Sequence, residues 1–316
     1  MSGGTCERLT LVFPGALGDF LLALPALRAV CQRHAGLPTT LVVHEPLRSL
    51  AALAGGWTVA SLDDRASVWL FGGSVRPEWL EGRPCVWTWL GAGNADVRRR
   101  LGMVASDVHM LHVERGAEGA HAAVAYVRAV GAVVDRATLV VTAAIRPPAS
   151  DRAQGLLAAE SRPILAVHPG AGARGKRWDP AGFVQVAHWW VRHGGVTVEI
   201  AGPAEASEAP LLGDLVAREW ALGDLSALLA ASAAFLGNDS GVTHLAAAVG
   251  AAGVGLFGPT PLRRWRPMSP RFRALAARRA GDAGIPLDAL PVSRVIATLR
   301  RVFTLTTPYP TTSVRA

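Results

Sequence analysis

Four times in this chain an apolar stretch of strand length runs into a loop of small residues and then into a helical pattern. Arg8 to Phe13 meets Pro14-Gly15-Ala16-Leu17-Gly18 and a helical pattern from Asp19 to His34, within which Pro25 predicts a kink. Ile164 to His168 is followed by a loop at 169–178 and a helix over 180–193, and Val196 to Ala201 by a loop at 202–208 and a helix ending near Ala234. Ala234 to Leu236 leads into Gly237 to Gly241 and a helix from Val242 to Val249. Strands that are apolar on both faces and alternate with helices make a parallel sheet covered on each side, with ligands at the carboxyl ends of its strands.

Further strand candidates are Thr40 to His44, Ser67 to Phe71, Cys85 to Trp89, Val108 to Val113 and Gly253 to Phe257. A helix is expected from about Glu118 to Val130 and another from Ala289 to Phe303, before a Thr/Pro-rich end that should fray. Arg146-Pro147-Pro148-Ala149-Ser150 cannot continue regular structure, which puts a linker region near 145–161. With 316 residues, half of them hydrophobic and 18% charged, the chain suits two globular domains of roughly 150 residues each. The expected division is 1–150 and 151–316, with the last helix available to pack back on the N-terminal domain.

Basic residues outnumber acidic ones 32 to 24, and the excess lies in residues 151–316, where the balance is 18 to 12. That bias suits phosphates or an acidic membrane surface; no arginine-aromatic cluster or zinc spacing points to nucleic acid. Lys176 is the only lysine, every other basic residue being arginine. A site that needs a compact, mobile point charge resists replacement by a planar guanidinium, so this lysine carries information. The three cysteines, Cys6, Cys31 and Cys85, share no metal or redox spacing and suit a reducing compartment. No secretory leader pattern and no run of about 20 apolar residues is present, so a cytoplasmic protein is expected, able to dock on the inner face of the membrane.

The segment with most chemistry is Gly237-Asn238-Asp239-Ser240-Gly241-Val242-Thr243-His244, in which a strand ends and a helix begins with its free N–H groups exposed to an anion. Asp239 or Ser240 as a mere helix cap is the plainer alternative. His168-Pro169-Gly170-Ala171-Gly172-Ala173-Arg174-Gly175-Lys176-Arg177-Trp178 supplies a second glycine loop with three cations, of which Lys176 suits charge growing on a departing diphosphate. Arg174 or Arg177 can assist, Arg177 being equally at home as a solvated surface charge, and His168 reads better as a core residue. Glu205, in the loop after a third strand, can accept from both hydroxyls of a ribose or cap the next helix. None of these loops is G-x-G-x-x-G with an acidic residue about 20 positions on, so a nicotinamide cofactor is unsupported. In the first loop, Gly15 and Gly18 flank the carboxylate of Asp19, which can take a proton from an incoming hydroxyl or cap its helix.

Gly18-Asp19 with Pro25, His168-Pro169-Gly170-Ala171 with Lys176 and Trp178, Gly237 to Gly241 with His244-Leu245-Ala246-Ala247-Ala248, and Leu256-Phe257-Gly258-Pro259-Thr260 with Arg264-Trp265 and Pro267 occur in that order. Together they resemble glycosyltransferase family 9, the family of ADP-heptose:lipopolysaccharide heptosyltransferases, over residues 8 to 267. The resemblance implies a GT-B fold, two Rossmann-like doubly wound domains facing across a cleft, with the acceptor on the first and the nucleotide sugar on the second. It also implies an inverting transfer without metal or cofactor, on a lipid-linked or other glycan acceptor. Carried over by position, Asp19 is the general base and Lys176 the diphosphate contact; Gly170, Ala171, Arg174, Glu205, Asp239, Ser240, Gly241 and His244 line the donor site. Two departures stand out: Leu22 replaces a histidine common three residues after the aspartate, and Ala171 and Gly172 replace hydroxyl residues of the donor loop. Two rivals share the pattern: a nucleotide-sugar epimerase, which would turn over donor alone, and a silent binding protein, which would transfer nothing.

Overall fold

Two parallel sheets organise the computed structural model, which describes residues 6–113, 120–205, 208–213, 215–277 and 287–304. The chain divides after Arg146 into two units, each with its own sheet.

In the first unit the strands are β1 (Leu9–Val12), β2 (Thr39–Val43), β3 (Thr58–Ser61), β4 (Cys85–Thr88) and β5 (Asp107–Met110), all parallel and ordered β3-β2-β1-β4-β5. Every residue of β1 is buried, as a central parallel strand requires, and its one polar side chain is satisfied: Thr10 Oγ1 donates to the carbonyl of Trp79 at 2.9 Å. The helix Leu17–Arg33 runs through Pro25 as one element and buries Phe20, Leu21, Leu22, Leu24, Leu27 and Val30. Such all-round burial needs cover on more than one side, and the helix Ala122–Ala129 packs along one of them. Residues 118 and 119 of the helix expected from about Glu118 to Val130 lie outside the described residues.

The run Ser67 to Phe71 is not a strand. It belongs to a 3-10 helix, Arg65–Phe71, started by Asp64, whose carboxylate accepts from the amide of Ala66. Trp69 and Leu70 enter a core with Val12, Val42, Val86, Val97 and Leu101, while Val68 and Phe71 stay exposed; that spacing of three overrides the apolar run's strand-like composition.

The second sheet comprises β6 (Ile164–His168), β7 (Val196–Ala201), β8 (Val216–Arg218), β9 (Ala234–Asn238), β10 (Gly253–Phe257) and β11 (Phe272–Ala276), ordered β11-β10-β9-β6-β7-β8 and parallel throughout. Counted from its own first strand this is the order 3-2-1-4-5-6 of a doubly wound dinucleotide-type sheet, whose direction of winding reverses between β6 and β9. A strand, β8, stands where a long helix was expected after residue 208; the helix itself is only Leu222–Ala231. The last helix, Val292–Thr304, puts Val295, Leu299 and Val302 into the C-terminal core, so its apolar stripe is used within that unit. The Thr/Pro-rich end at 305–316 lies outside the described residues. Among the described residues no helix is long and apolar enough to cross a membrane.

Part of the expected linker is ordered. Ser150 caps the helix Asp151–Ala158 by accepting from the amide of Ala153 at 3.0 Å and donates to Asp224 Oδ1 at 2.7 Å, while the guanidinium of Arg152 sits 4.7 Å from the Trp220 ring. Ser150→Ala removes both bonds and leaves Asp224 without that donor, which should destabilise the helix by about 1–2 kcal/mol. Hydrogen exchange should show faster exchange confined to the helix Asp151–Ala158; unchanged protection there would contradict this anchoring.

Candidate functional site

The reversal between β6 and β9 brings two loops together. Asn238, the last residue of β9 and fully buried, donates through Nδ2 to the carbonyl of Pro169 at 2.7 Å and accepts through Oδ1 from the amide of Trp178 at 3.0 Å. One amide side chain therefore pins both ends of the loop that carries Gly170, Ala171, Arg174 and Lys176. The Trp178 ring packs edge-on to Phe183, and its Nε1 donates to the carbonyl of Leu290.

Within that loop Arg174–Lys176 forms a 3-10 turn, from which Lys176 Nζ reaches Asp239 Oδ2 at 2.8 Å. The lysine side chain is about one-third exposed and the carboxylate 6% exposed, so the pair presents its cation outward and keeps its anion buried. Immediately after, Ser240 caps the helix Gly241–Ala248, accepting from the amide of Thr243, and its Oγ lies 3.1 Å from Nδ1 of His168. The N–H groups at that helix start lie close to the lysine, an arrangement of the kind that attracts anions. His244, one turn further in, is buried.

Burial, and secondarily the charge of Arg177, pushes the pKa of His168 down to about 4. At neutral pH it is uncharged and serves the loop through Ser240, which agrees with its reading as a core residue.

The loop after β7 joins the same cluster. Glu205 accepts from Arg177 at 2.9 Å through Oε1 and from the amide of Gly202 at 3.2 Å through Oε2. Its carboxylate lies against Gly170 so closely that a Cβ there would come within 2.4 Å of it, which is why that position is glycine. Arg177 also pairs with Glu208 at 3.1 Å; it is a bridge between loops rather than a solvated charge. The helix-cap alternative for Glu205 does not occur, because Pro203–Glu205 is a single 3-10 turn followed by β8. Of the two residues in the 169–178 loop that depart from the family pattern, Ala171 is buried and Gly172 has open space where a side chain would stand.

In the first unit, Asp19 follows β1 in the first turn of the helix Leu17–Arg33. The cap position is Ala16, with no side-chain bond, and Gly18 is the second helical residue, so Asp19 is not the cap. It accepts instead from the Tyr126 hydroxyl at 3.0 Å. Phe13 and Trp89 pack edge-on around Tyr126 at centroid distances of 5.7 and 6.2 Å. A side chain at Gly15 would meet the Phe13 ring at 2.4 Å and Asp19 Cβ at 2.9 Å. Leu22 is buried and contributes packing.

Sequence reasoning brought Lys176, Asp239, Ser240, Gly170 and Glu205 to one sheet edge, as expected of loops on a doubly wound sheet. It assigned no role to Asn238 or Tyr126. For Asn238 the signal was a polar residue at the end of an apolar strand; for Tyr126 there was none, since its partner is 107 residues away.

A family model, glycosyltransferase family 9 (heptosyltransferase), matches residues 105–283. A search of curated protein sequences finds no significant match. Among solved structures the chain is similar to a family 9 glycosyl transferase from Veillonella parvula at 18% identity, covering 95% of this chain and 97% of that one with a TM-score of 0.74. It is also similar to the E. coli ADP-heptose lipopolysaccharide heptosyltransferase II, at 17% identity, 94% and 99% coverage and a TM-score of 0.70. A third is the E. coli heptosyltransferase WaaC with ADP, at 16%, 93% and 99%, and 0.62. At these identities the likeness establishes the fold, two Rossmann-like domains of the GT-B type.

Because His168 holds its proton less well when folded, with a pKa near 4, than in the unfolded chain near 6.5, the unfolded state gains protons first as pH falls. Its contribution is full above pH 6.5 and declines by about 1.4 kcal/mol per unit as pH drops toward 4. Denaturation of wild type and His168→Gln between pH 7 and 5 should show a flatter slope in the variant; parallel slopes would contradict a buried neutral histidine.

Proposed function

This chain belongs to glycosyltransferase family 9, and from that premise we propose that it transfers a heptose from ADP-heptose to a lipopolysaccharide-type or other glycan acceptor, inverting the anomeric centre without metal or cofactor. It is a glycosyltransferase that uses a nucleotide-sugar donor; the sugar, base, acceptor and stereochemistry belong to the proposal. The observation that carries it is the meeting of Lys176, the helix start at Ser240-Gly241 and Glu205 on one edge of the C-terminal sheet.

In this reading the diphosphate lies on the N–H groups of the helix Gly241–Ala248 and on Lys176, with Gly170, Ala171, Arg174 and His244 lining the donor. Each Glu205 oxygen already accepts one bond and keeps a lone pair for a ribose hydroxyl. Asp239 is itself an anion, so its part is to hold the lysine rather than to touch phosphate. The acceptor hydroxyl attacks the anomeric carbon and gives its proton to Asp19; the bond to the diphosphate breaks with its electron pair going to the leaving oxygen. Lys176 gains most when that charge is fully developed, which favours the transition state over bound donor. The basic excess in residues 151–316 suits a lipid-linked acceptor at the acidic inner face of the membrane, the protein being cytoplasmic.

Asp19→Asn keeps an oxygen for the Tyr126 hydroxyl but removes the proton acceptor, so turnover should fall about 100-fold or more with donor affinity nearly unchanged. Steady-state kinetics alongside donor titration separates the two, and a variant that keeps most of its activity would remove Asp19 from the mechanism. Lys176→Ala should lower turnover more than donor affinity, whereas Lys176→Arg should restore the charge and only part of the rate. An arginine variant equal to wild type in both would show that the lysine's shape is immaterial.

A further inference from the structure

At the opposite end of the first sheet from Asp19, three strand starts gather a set of side chains that the transfer reaction does not use. Cys85 opens β4 and Asp107 opens β5, and the two are register partners. His109, two residues along, lies on the same face of β5 as Asp107. A ligand atom from each of Cys85, Asp107 and His109 lies within 4.8 Å of the other two. His109 Nε2 is 2.9 Å from Asp107 Oδ2. Cys6, just before β1, has its Sγ 3.3 Å from Ser106 Oγ, and its thiol is near enough to that of Cys85 to interact with it.

We propose that this edge is a structural site for a thiophilic divalent cation of the zinc class, held by Cys6, Cys85, Asp107 and His109. Two sulfurs, an imidazole and one carboxylate make a borderline-soft set of four, which favours zinc over magnesium or calcium. In a tetrahedral zinc site neighbouring ligand atoms stand about 3.5 Å apart, so Cys85, Asp107 and His109 need close by only about an ångström, while Cys6, which lies outside that group of three, has to swing in beside Cys85 as the fourth ligand.

Two features separate the cluster from an ordinary surface ion pair. Cys85 is 1% exposed, so the partly exposed Asp107–His109 pair has a buried sulfur behind it. The His109 ring is also stacked on Trp87 at 3.8 Å, with Trp87 Nε1 donating to His34 Nε2 at 3.2 Å, which fixes the ring before any ion arrives. A cation here would clip the segment before β1 to β4 and β5. It would take no part in the chemistry at the carboxyl ends of the strands, so the transfer proposed above does not depend on it.

Cobalt titration of the untagged full chain, kept reduced by a non-chelating phosphine, tests the site. One Co2+ per chain should bind with thiolate-to-cobalt charge-transfer absorption, be displaced by one equivalent of Zn2+, and raise the melting temperature. Cys6→Ser or Cys85→Ala alone should weaken that absorption, and the two together should abolish it. His109→Ala and Asp107→Asn alter partly exposed side chains, so they should fold while weakening cobalt by about tenfold or more. Binding without charge-transfer absorption would mean exposed histidines only and would overturn the site, as would absorption that His109→Ala and Asp107→Asn leave unchanged.

Discussion

The buried amide of Asn238 is the constraint on which the loop cluster of the C-terminal unit depends. A fully buried amide must have its donor and acceptor satisfied, since each unmet group costs about 1–3 kcal/mol. Here the carbonyl of Pro169 and the amide of Trp178 satisfy them, which holds both at fixed points beside the end of β9. The intervening loop is free to be glycine-rich because its ends are not. Lys176 thereby reaches Asp239, Arg177 reaches Glu205, and Gly170 can lie against that glutamate.

Charge in the cluster is arranged so that no carboxylate is left alone. Asp239 and Glu205 are both nearly buried, and each is matched by a cation from the loop that Asn238 holds. Removing one partner of such a pair costs more than the pair is worth, because the remaining charge stays desolvated. In the proposed site an incoming diphosphate would therefore share Lys176 with Asp239 rather than replace it. The neutral His168 adds no positive charge and supports the helix start through Ser240.

Much of this was legible in the sequence because parallel strands buried on both faces are near-continuous apolar runs and their loops fall on one edge. β1, β2, β4 and β6 to β10 except β8 were visible on that ground, and the strand expected over Val108 to Val113 overlaps β5 at 108–110. The short or edge strands β3, β8 and β11 were not, since Thr58–Ser61 and Phe272–Ala276 are partly exposed and carry polar residues among the apolar ones. The 3-10 helix Arg65–Phe71 has strand-like composition, and only its cap and its pattern of burial distinguish it. At the site, residue types and loop positions were readable, but pairings were not. Tyr126 with Asp19, and Asn238 with both ends of the 169–178 loop, are products of tertiary structure that no local spacing announces.

The central claim is that the loops after β6, β7 and β9 form the nucleotide-diphosphate site. Hydrogen exchange of the full chain with and without ADP tests it at the level of single loops. The account predicts added protection at residues 169–178, at 202–205 and at the helix start 240–244, with little change along the amino ends of the same strands. Protection that appears elsewhere while these three segments exchange as before would contradict it.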